Sequence, residues 1–211
     1  MVSNVQRGVI GIDEVGRGPL AGPITVCAVY LADEKKTKRT IFSNSIRDSK
    51  KLSKASRDNI YKTIRKNKKN NKDIIIYAIA SKSAKYIDVH GISAAAHACV
   101  KECLKNLSKN GVNITTVSVN LDAGLYIRDF KGKQSSHVKG DEKYTEIALA
   151  SIIAKVTRDS YMTRLSRANP GYFWEDNAGY GTLKHRKAIV ELGITKYHRI
   201  SFLNNLYKQI L

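Results

Sequence analysis

The segment Gly11-Ile-Asp-Glu-Val-Gly-Arg-Gly-Pro-Leu-Ala-Gly-Pro23 places two adjacent acids at the end of an apolar run and follows them with a glycine-rich loop. Val9 to Ile12 and Ile24 to Leu31 flank the Gly/Pro-rich stretch from Gly16 to Pro23 as short β-branched runs, so the segment reads as two strands of a hairpin. Adjacent side chains of a regular strand point to opposite faces, and Asp13 and Glu14 can share one site only if the strand bends or ends there. Gly16 supplies the means. Glycines at 16, 18 and 22 let the backbone adopt positive φ or approach a ligand closely, and exposed amides beside Arg17 suit an anionic or hydroxyl-bearing ligand. An elaborated hairpin with solvated charges is the weaker reading, because Asp and Glu are poor strand residues.

Outward from this hairpin, Ser53 is placed to cap a helix running to Arg65, and Ile74 to Ala80 reads as a third strand. Ser93 to Leu107 reads as a helix with Ala95, Cys99, Cys103 and Leu107 along one face. Asn113 to Leu121 is the expected fourth strand, and it delivers Asp122 at its C-terminal end. A long helix is expected from Tyr144 to Leu165, with Asp159 in its last third, then shorter helices over Thr182 to Leu192 and Phe202 to Ile210. Three strands in succession, then helix, strand and helix, imply a mixed sheet in which the ends of adjacent strands can converge.

The chain has 211 residues, 42% of them hydrophobic, which suits one core rather than two. Lys and Arg number 37 against 18 Asp and Glu, and this net charge of +19 points to a polyanionic partner, nucleic acid ahead of a membrane surface. A Lys-biased composition is the blander source of part of the excess. Three cysteines, Cys27, Cys99 and Cys103, suit buried thiols in a reducing compartment, since no second pair completes a zinc site beside His97. No signal peptide and no apolar run approaching 18 residues is visible, so a soluble cytoplasmic protein is expected.

Taken alone, Asp122 reads equally as a turn former before Gly124, and Asp159 as a surface acid paired with Lys155 one helical turn earlier. The constellation is more informative than its members. Asp13, Glu14, Asp122 and Asp159 converging in a polyanion-binding protein would repel one another and the ligand unless divalent cations compensate. Phosphodiester hydrolysis by metal-activated water is the reaction class that follows.

Asp13-Glu-Val-Gly-Arg-Gly-Pro-Leu-Ala-Gly-Pro23 resembles the signature of type 2 ribonucleases H, the ribonuclease HII family. Asp48-Ser-Lys-Lys-Leu-Ser53, the strand-end Asp122, Lys139-Gly-Asp-Glu-Lys143, Ala150-Ser-Ile-Ile-Ala-Lys-Val-Thr-Arg-Asp159, Gly179-Tyr-Gly-Thr182 with His185, and His198-Arg-Ile-Ser-Phe202 match in family order. The resemblance spans nearly the whole chain. It implies an α/β ribonuclease H-like fold, a five-stranded mixed sheet flanked by helices, with a catalytic core over 1–165 and a helical, substrate-covering part of the same domain over 166–211.

The resemblance further implies that Asp13, Glu14, Asp122 and Asp159 are the catalytic acids and hold Mg²⁺ or Mn²⁺. Gly16, Arg17 and Gly18 match the motif whose main chain contacts the ribose 2′-hydroxyl, and Tyr180 matches the tyrosine that senses the RNA–DNA junction. Lys50 and Lys51 are expected at phosphates, giving affinity without base specificity. The expected enzyme cuts the RNA strand of RNA/DNA hybrids and nicks duplex DNA 5′ of an embedded ribonucleotide, leaving 3′-hydroxyl and 5′-phosphate ends. It would serve ribonucleotide and primer removal.

Two positions depart from the common pattern: Ala123 separates Asp122 from Gly124, and Glu146 stands where a small hydroxyl residue is common. The related type 3 enzymes carry a Lys version of the glycine motif, so Arg17 and the short approach to Asp13 argue for type 2. A catalytically silent hybrid-binding module is the rival from another class, and retention of all four acids speaks against it. Asn204 to Leu211 carries no clear sliding-clamp motif and reads as an amphipathic packing helix of a monomer.

Overall fold

The computed structural model describes residues 8–35, 37, 52–70 and 75–203. Strands β1 (Val9–Val15), β2 (Ile24–Leu31), β3 (Ile75–Lys82), β4 (Ser118–Asp122) and β5 (Gln134–His137) form one sheet in the order β3-β2-β1-β4-β5. β1 pairs antiparallel with β2, from Val9 opposite Leu31 to Val15 opposite Thr25, and parallel with β4, from Val9 beside Ser118 to Ile12 beside Leu121. The mixed five-stranded sheet matches the expected fold class, and the first and fourth strands are neighbours as the site requires.

The helices are α1 (Lys54–Asn70), α2 (Ala84–His90), α3 (Ile92–Lys109), α4 (Gly140–Lys143), α5 (Thr145–Ala168), α6 (Trp174–Asn177) and α7 (Leu183–Leu192), and residues 200–203 are also helical. Every residue of β2 is buried, because helices cover both faces of the sheet. Val26, Ala28 and Tyr30 join Ile10 and Ile12 against Ala95, Cys99 and Cys103 of α3. Their alternates Cys27, Val29 and Leu31 face Leu149, Ala150, Ile153 and Ala154 of α5. The period-2 alternation thus assigns Gly11 and Asp13 to the α5 face. The three cysteines are free and buried, as expected.

A second apolar cluster joins Ala21 of the glycine-rich loop to Met162 and Leu165 of α5, Trp174 of α6 and Ala188 and Ile189 of α7. The last turns of α5 therefore belong to the C-terminal cluster, and residue 165 lies inside a continuous helix rather than at a structural break.

Several boundaries differ from the sequence reading for local reasons. β1 continues past Ile12 to Val15, since β2 keeps pairing with Asp13 and Glu14. β4 starts at Ser118 rather than Asn113, because the Asn113 side chain accepts from the Thr115 amide at 3.2 Å and hydroxyl at 2.8 Å, a local turn that competes with the strand. Helix α2 adds to the elements expected from the sequence; Ser83 caps it, its hydroxyl accepting from the Tyr86 amide at 3.2 Å, and Gly91 at φ 80° separates it from α3. β5 is polar throughout and carries no apolar alternation to announce it. Lys50, Lys51, Ile74 and most of the expected helix over Phe202 to Ile210 lie outside the described residues.

Candidate active site

Asp13, Glu14, Gly16, Arg17, Gly18, Asp122 and Tyr180 line one open cleft of about 410 Å³, together with Ser151 and Lys155 of α5 and Arg57 of α1. The cleft sits where the C-terminal ends of the parallel pair β1 and β4 meet, the usual position for a ligand site on such a sheet. Asp13 faces α5 and Glu14 the opposite side, and both reach the cleft because β1 ends one residue later. Gly16 turns the chain there at φ 95°, a conformation that favours glycine.

Asp13 is 4% exposed, and its carboxylate accepts from the Glu14 amide at 2.7 Å. Burial pushes its pKa well up, with Glu14 and Asp122 adding like-charge repulsion, while the Ser151 hydroxyl and Glu14 amide pull it partly back. Burial also raises Glu14, opposed mainly by Arg17, whose Nε lies 2.5 Å from Oε1. The other Glu14 oxygen, Oε2, is buried without a hydrogen-bond partner. Arg17 also donates to the Gly124 carbonyl at 3.0 Å, which ties the loop after β1 to the turn after β4. The inserted Ala123 thus leaves the Gly124 carbonyl within reach of Arg17.

Asp122 accepts from the Gly140 amide at 2.9 Å, so the Lys139–Lys143 block orients this acid. Asp159 stands apart from the other three. It pairs with Lys155 at 2.9 Å and lines a small adjoining pocket between α1 and α5 with Lys54, Arg57 and Asp58. Ser151, absent from the expected site, touches Asp13. Its signal was present in the sequence as helical spacing: Ser151, Lys155 and Asp159 are four residues apart and share one face of α5. Glu146 is 3% exposed and accepts from Asn120 Nδ2 at 2.7 Å, and Asn120 in turn meets His137 at 3.2 Å.

Tyr180 is 44% exposed, and a Cβ added at Gly18 would lie 3.7 Å from its ring, so loop and tyrosine face each other. His185 is fully buried and packs instead of meeting phosphate. Trp174 donates to His185 Nε2 at 3.0 Å, which assigns the His185 proton to Nδ1 and its hydrogen bond to the Tyr180 carbonyl, at 2.8 Å. His198 Nε2 donates to His185 Nε2 at 3.2 Å while His198 Nδ1 accepts from the Thr195 amide at 2.9 Å. Both rings are held neutral.

Burial first, and His185 second, bring His198 down to about 4, and burial also lowers His185. A depressed histidine stabilises the fold fully above the unfolded value near 6.5 and loses that contribution as the pH falls toward 4. The stability gap between wild type and His198→Gln is therefore expected to shrink, on the order of a few kcal/mol, between those limits. Asp13 and Glu14 drift oppositely in both proteins and cancel. Urea titrations across this range check it, and a constant gap would show that His198 is not held neutral.

Among the described residues no three His, Cys, Asp or Glu side chains are close enough to bind one ion as they stand. The donors nevertheless suit a hard divalent cation: all are carboxylate oxygens, Glu14 Oε2 lacks a hydrogen-bond partner, and Asp13 and Glu14 are buried beside Asp122 with a like-charge repulsion that Arg17 offsets only at Glu14. Lys155 and Arg57 supply the cleft's other cations.

The family model described as Ribonuclease HII matches residues 10–205. A ribonuclease HII from Shouchella clausii is 40% identical over 200 residues, covering 93% of this chain and 70% of that protein. One from Prochlorococcus marinus is 37% identical over 207 residues, covering 98% and 100%. Among solved structures, the ribonuclease HII of the Archaeoglobus fulgidus PCNA complex superposes with a TM-score of 0.68 at 25% identity, covering 92% of this chain and 94% of that one. Bst-RNase HIII, solved in complex with Mn²⁺, superposes with a TM-score of 0.65 at 19% identity, covering 97% and 70%.

Proposed function

The chain belongs to the ribonuclease HII family, and on that premise we propose that it is a metal-dependent endoribonuclease acting on the RNA strand of RNA/DNA hybrids and on ribonucleotides embedded in duplex DNA. The observation that carries this reading is the shared cleft, where three acids at the ends of β1 and β4 face a glycine-rich loop and an exposed tyrosine. Asp13, Glu14 and Asp122 would hold Mg²⁺ or Mn²⁺, with Asp159 adjoining. When bound there, such an ion would supply an activated water and neutralise charge at the scissile phosphate. Lys155 holds Asp159 at the cleft's edge, where this acid can orient the attacking water.

Specificity lies on the other wall. The main chain of Gly16, Arg17 and Gly18 reads the ribose 2′-hydroxyl, a group that both donates and accepts and so separates RNA from DNA. The Tyr180 ring, held through its carbonyl by His185, packs where the next sugar sits and leaves no room for a second hydroxyl. Lys50 and Lys51 add phosphate affinity, and the net charge of +19 suits the polyanionic duplex. No helix among the described residues is long and apolar enough to cross a membrane.

A labelled DNA duplex containing one ribonucleotide, incubated with Mg²⁺ or Mn²⁺, tests the reading. Cleavage on the 5′ side of the ribonucleotide is expected, with 3′-hydroxyl and 5′-phosphate ends and an intact all-DNA control. Cleavage of a long hybrid alone would remove the junction role from Tyr180 and favour type 3 behaviour; no cleavage of either would leave a binding module.

A further inference from the structure

Two arginines outside the acid cluster, Arg158 and Arg199, are completely buried. A buried guanidinium usually meets a carboxylate, yet among the described residues the six hydrogen bonds of this pair all run to main-chain carbonyls. Arg199 donates to Gly16 at 2.6 Å, Arg17 at 2.9 Å and Gly22 at 3.0 Å. Arg158 donates to Ala21 at 3.2 Å, Pro23 at 2.9 Å and Ala178 at 2.8 Å. Five of the six carbonyls belong to the glycine-rich loop, and the sixth lies two residues before Tyr180.

The peptide bonds of the described chain are trans, and in a trans peptide the carbonyl of one residue points opposite to the amide of the next. Capture of the Gly16 and Arg17 carbonyls by Arg199 therefore turns the N–H groups of Arg17 and Gly18 away from the buried guanidinium. Away from Arg199 lies the cleft that Gly16, Arg17 and Gly18 line. Among the described residues no protein group accepts from either amide. Arg199 reaches the loop from the segment after α7, and the Arg199 amide itself donates to the Leu20 carbonyl at 2.8 Å.

We propose that Arg199 is the positioning residue of ribose recognition, holding the Gly16 and Arg17 carbonyls so that the Arg17 and Gly18 amides are preset as donors to the 2′-hydroxyl oxygen. The proposal rests on the reading of this loop as the ribose-sensing element. Preset donors need no reordering when substrate arrives. A lysine at 199 has one terminal nitrogen and cannot span three carbonyls in the fixed fork that a guanidinium provides.

The test measures binding in an Asp13→Asn background, which prevents cleavage, with two duplexes that differ by one 2′-hydroxyl. The parent is expected to prefer the ribonucleotide duplex, and Arg199→Lys to reduce that preference by about tenfold, the size of one to two net hydrogen bonds, while binding of the all-DNA duplex stays unchanged. Equal weakening on both duplexes, or an unaltered preference, overturns the proposal. A parent without preference instead overturns the ribose-sensing reading itself. Should Arg199→Lys not fold, amide proton shifts with Arg199 intact decide the matter. The Arg17 and Gly18 amides are expected to move on adding the ribonucleotide duplex and not on adding the all-DNA duplex; identical spectra count against the proposal.

Discussion

Replacing Asp13 by Asn is expected to abolish cleavage and, in the same protein without divalent ions, to raise the melting temperature. The two effects have one cause. Asp13 carries a charge that burial, Glu14 and Asp122 all penalise, so its pKa lies above the unfolded value, and the stability present below that value is lost as the pH rises through the folded one. Above the unfolded value the Asp13 carboxyl therefore costs the metal-free fold stability. Asn keeps the shape: its carbonyl oxygen can still accept from the Glu14 amide and its NH₂ can donate to the Ser151 hydroxyl. It removes the charge that a divalent cation requires, and the several kcal/mol of transition-state stabilisation such an ion contributes correspond to a rate loss of about 10³-fold or more. Single-turnover cleavage measures the first effect and thermal unfolding in chelator the second. Mg²⁺ or Mn²⁺ should raise the melting temperature of wild type more than that of the variant. Cleavage within tenfold of wild type would take Asp13 out of the reaction, and a lower melting temperature in chelator would show that its charge is not a burden.

Gly11→Ala is expected to destabilise the fold by about 3 kcal/mol or more, at the upper end of overpacking effects, although Ala is an ordinary strand residue. The obstacle is space rather than backbone conformation. A Cβ at this position would lie 2.5 Å from the Glu146 oxygen and the Ile147 nitrogen and would also strike the Glu146 carbonyl carbon. Those are main-chain atoms of the first turn of α5, which cannot rotate aside as a side chain can. Either the strand or the helix must shift, and α5 carries Ser151, Lys155 and Asp159 at the cleft. Urea denaturation should show a lower midpoint, and the folded fraction should cleave more slowly. A loss under about 1 kcal/mol with full activity would mean that α5 can slide over β1 without cost.

The contrast between these two residues shows how far the sequence could be read. Asp13 was legible because an acid pair at the end of an apolar run, followed by glycines, has little use in folding alone. Gly11 looked like any glycine in a strand, since its reason lies 135 residues away in the first turn of a helix. β2 was legible in full because eight consecutive apolar or β-branched residues suit a strand covered on both faces. β5 was not, because four polar residues at a sheet edge owe their pairing to β4. Asn113 opens a β-branched run, but its side chain makes a turn with Thr115. Ser151 had the helical spacing that links it to Lys155 and Asp159, but spacing alone does not say which face of a helix meets the sheet.

By itself the sequence determined the chemistry available: which acids, which glycines, how much positive charge, and an order of motifs that points to one family. Those are properties of residue type and local spacing. Tertiary structure alone decided which of these groups meet. It set β1 beside β4 so that Asp13 and Asp122 share a cleft, held Asp159 back on Lys155, buried His185 away from phosphate, and drove two arginines into the core to hold a loop by its carbonyls. Each outcome depends on packing between segments distant in sequence, and a buried charge or ring takes its partner from whatever the fold brings within about 3 Å.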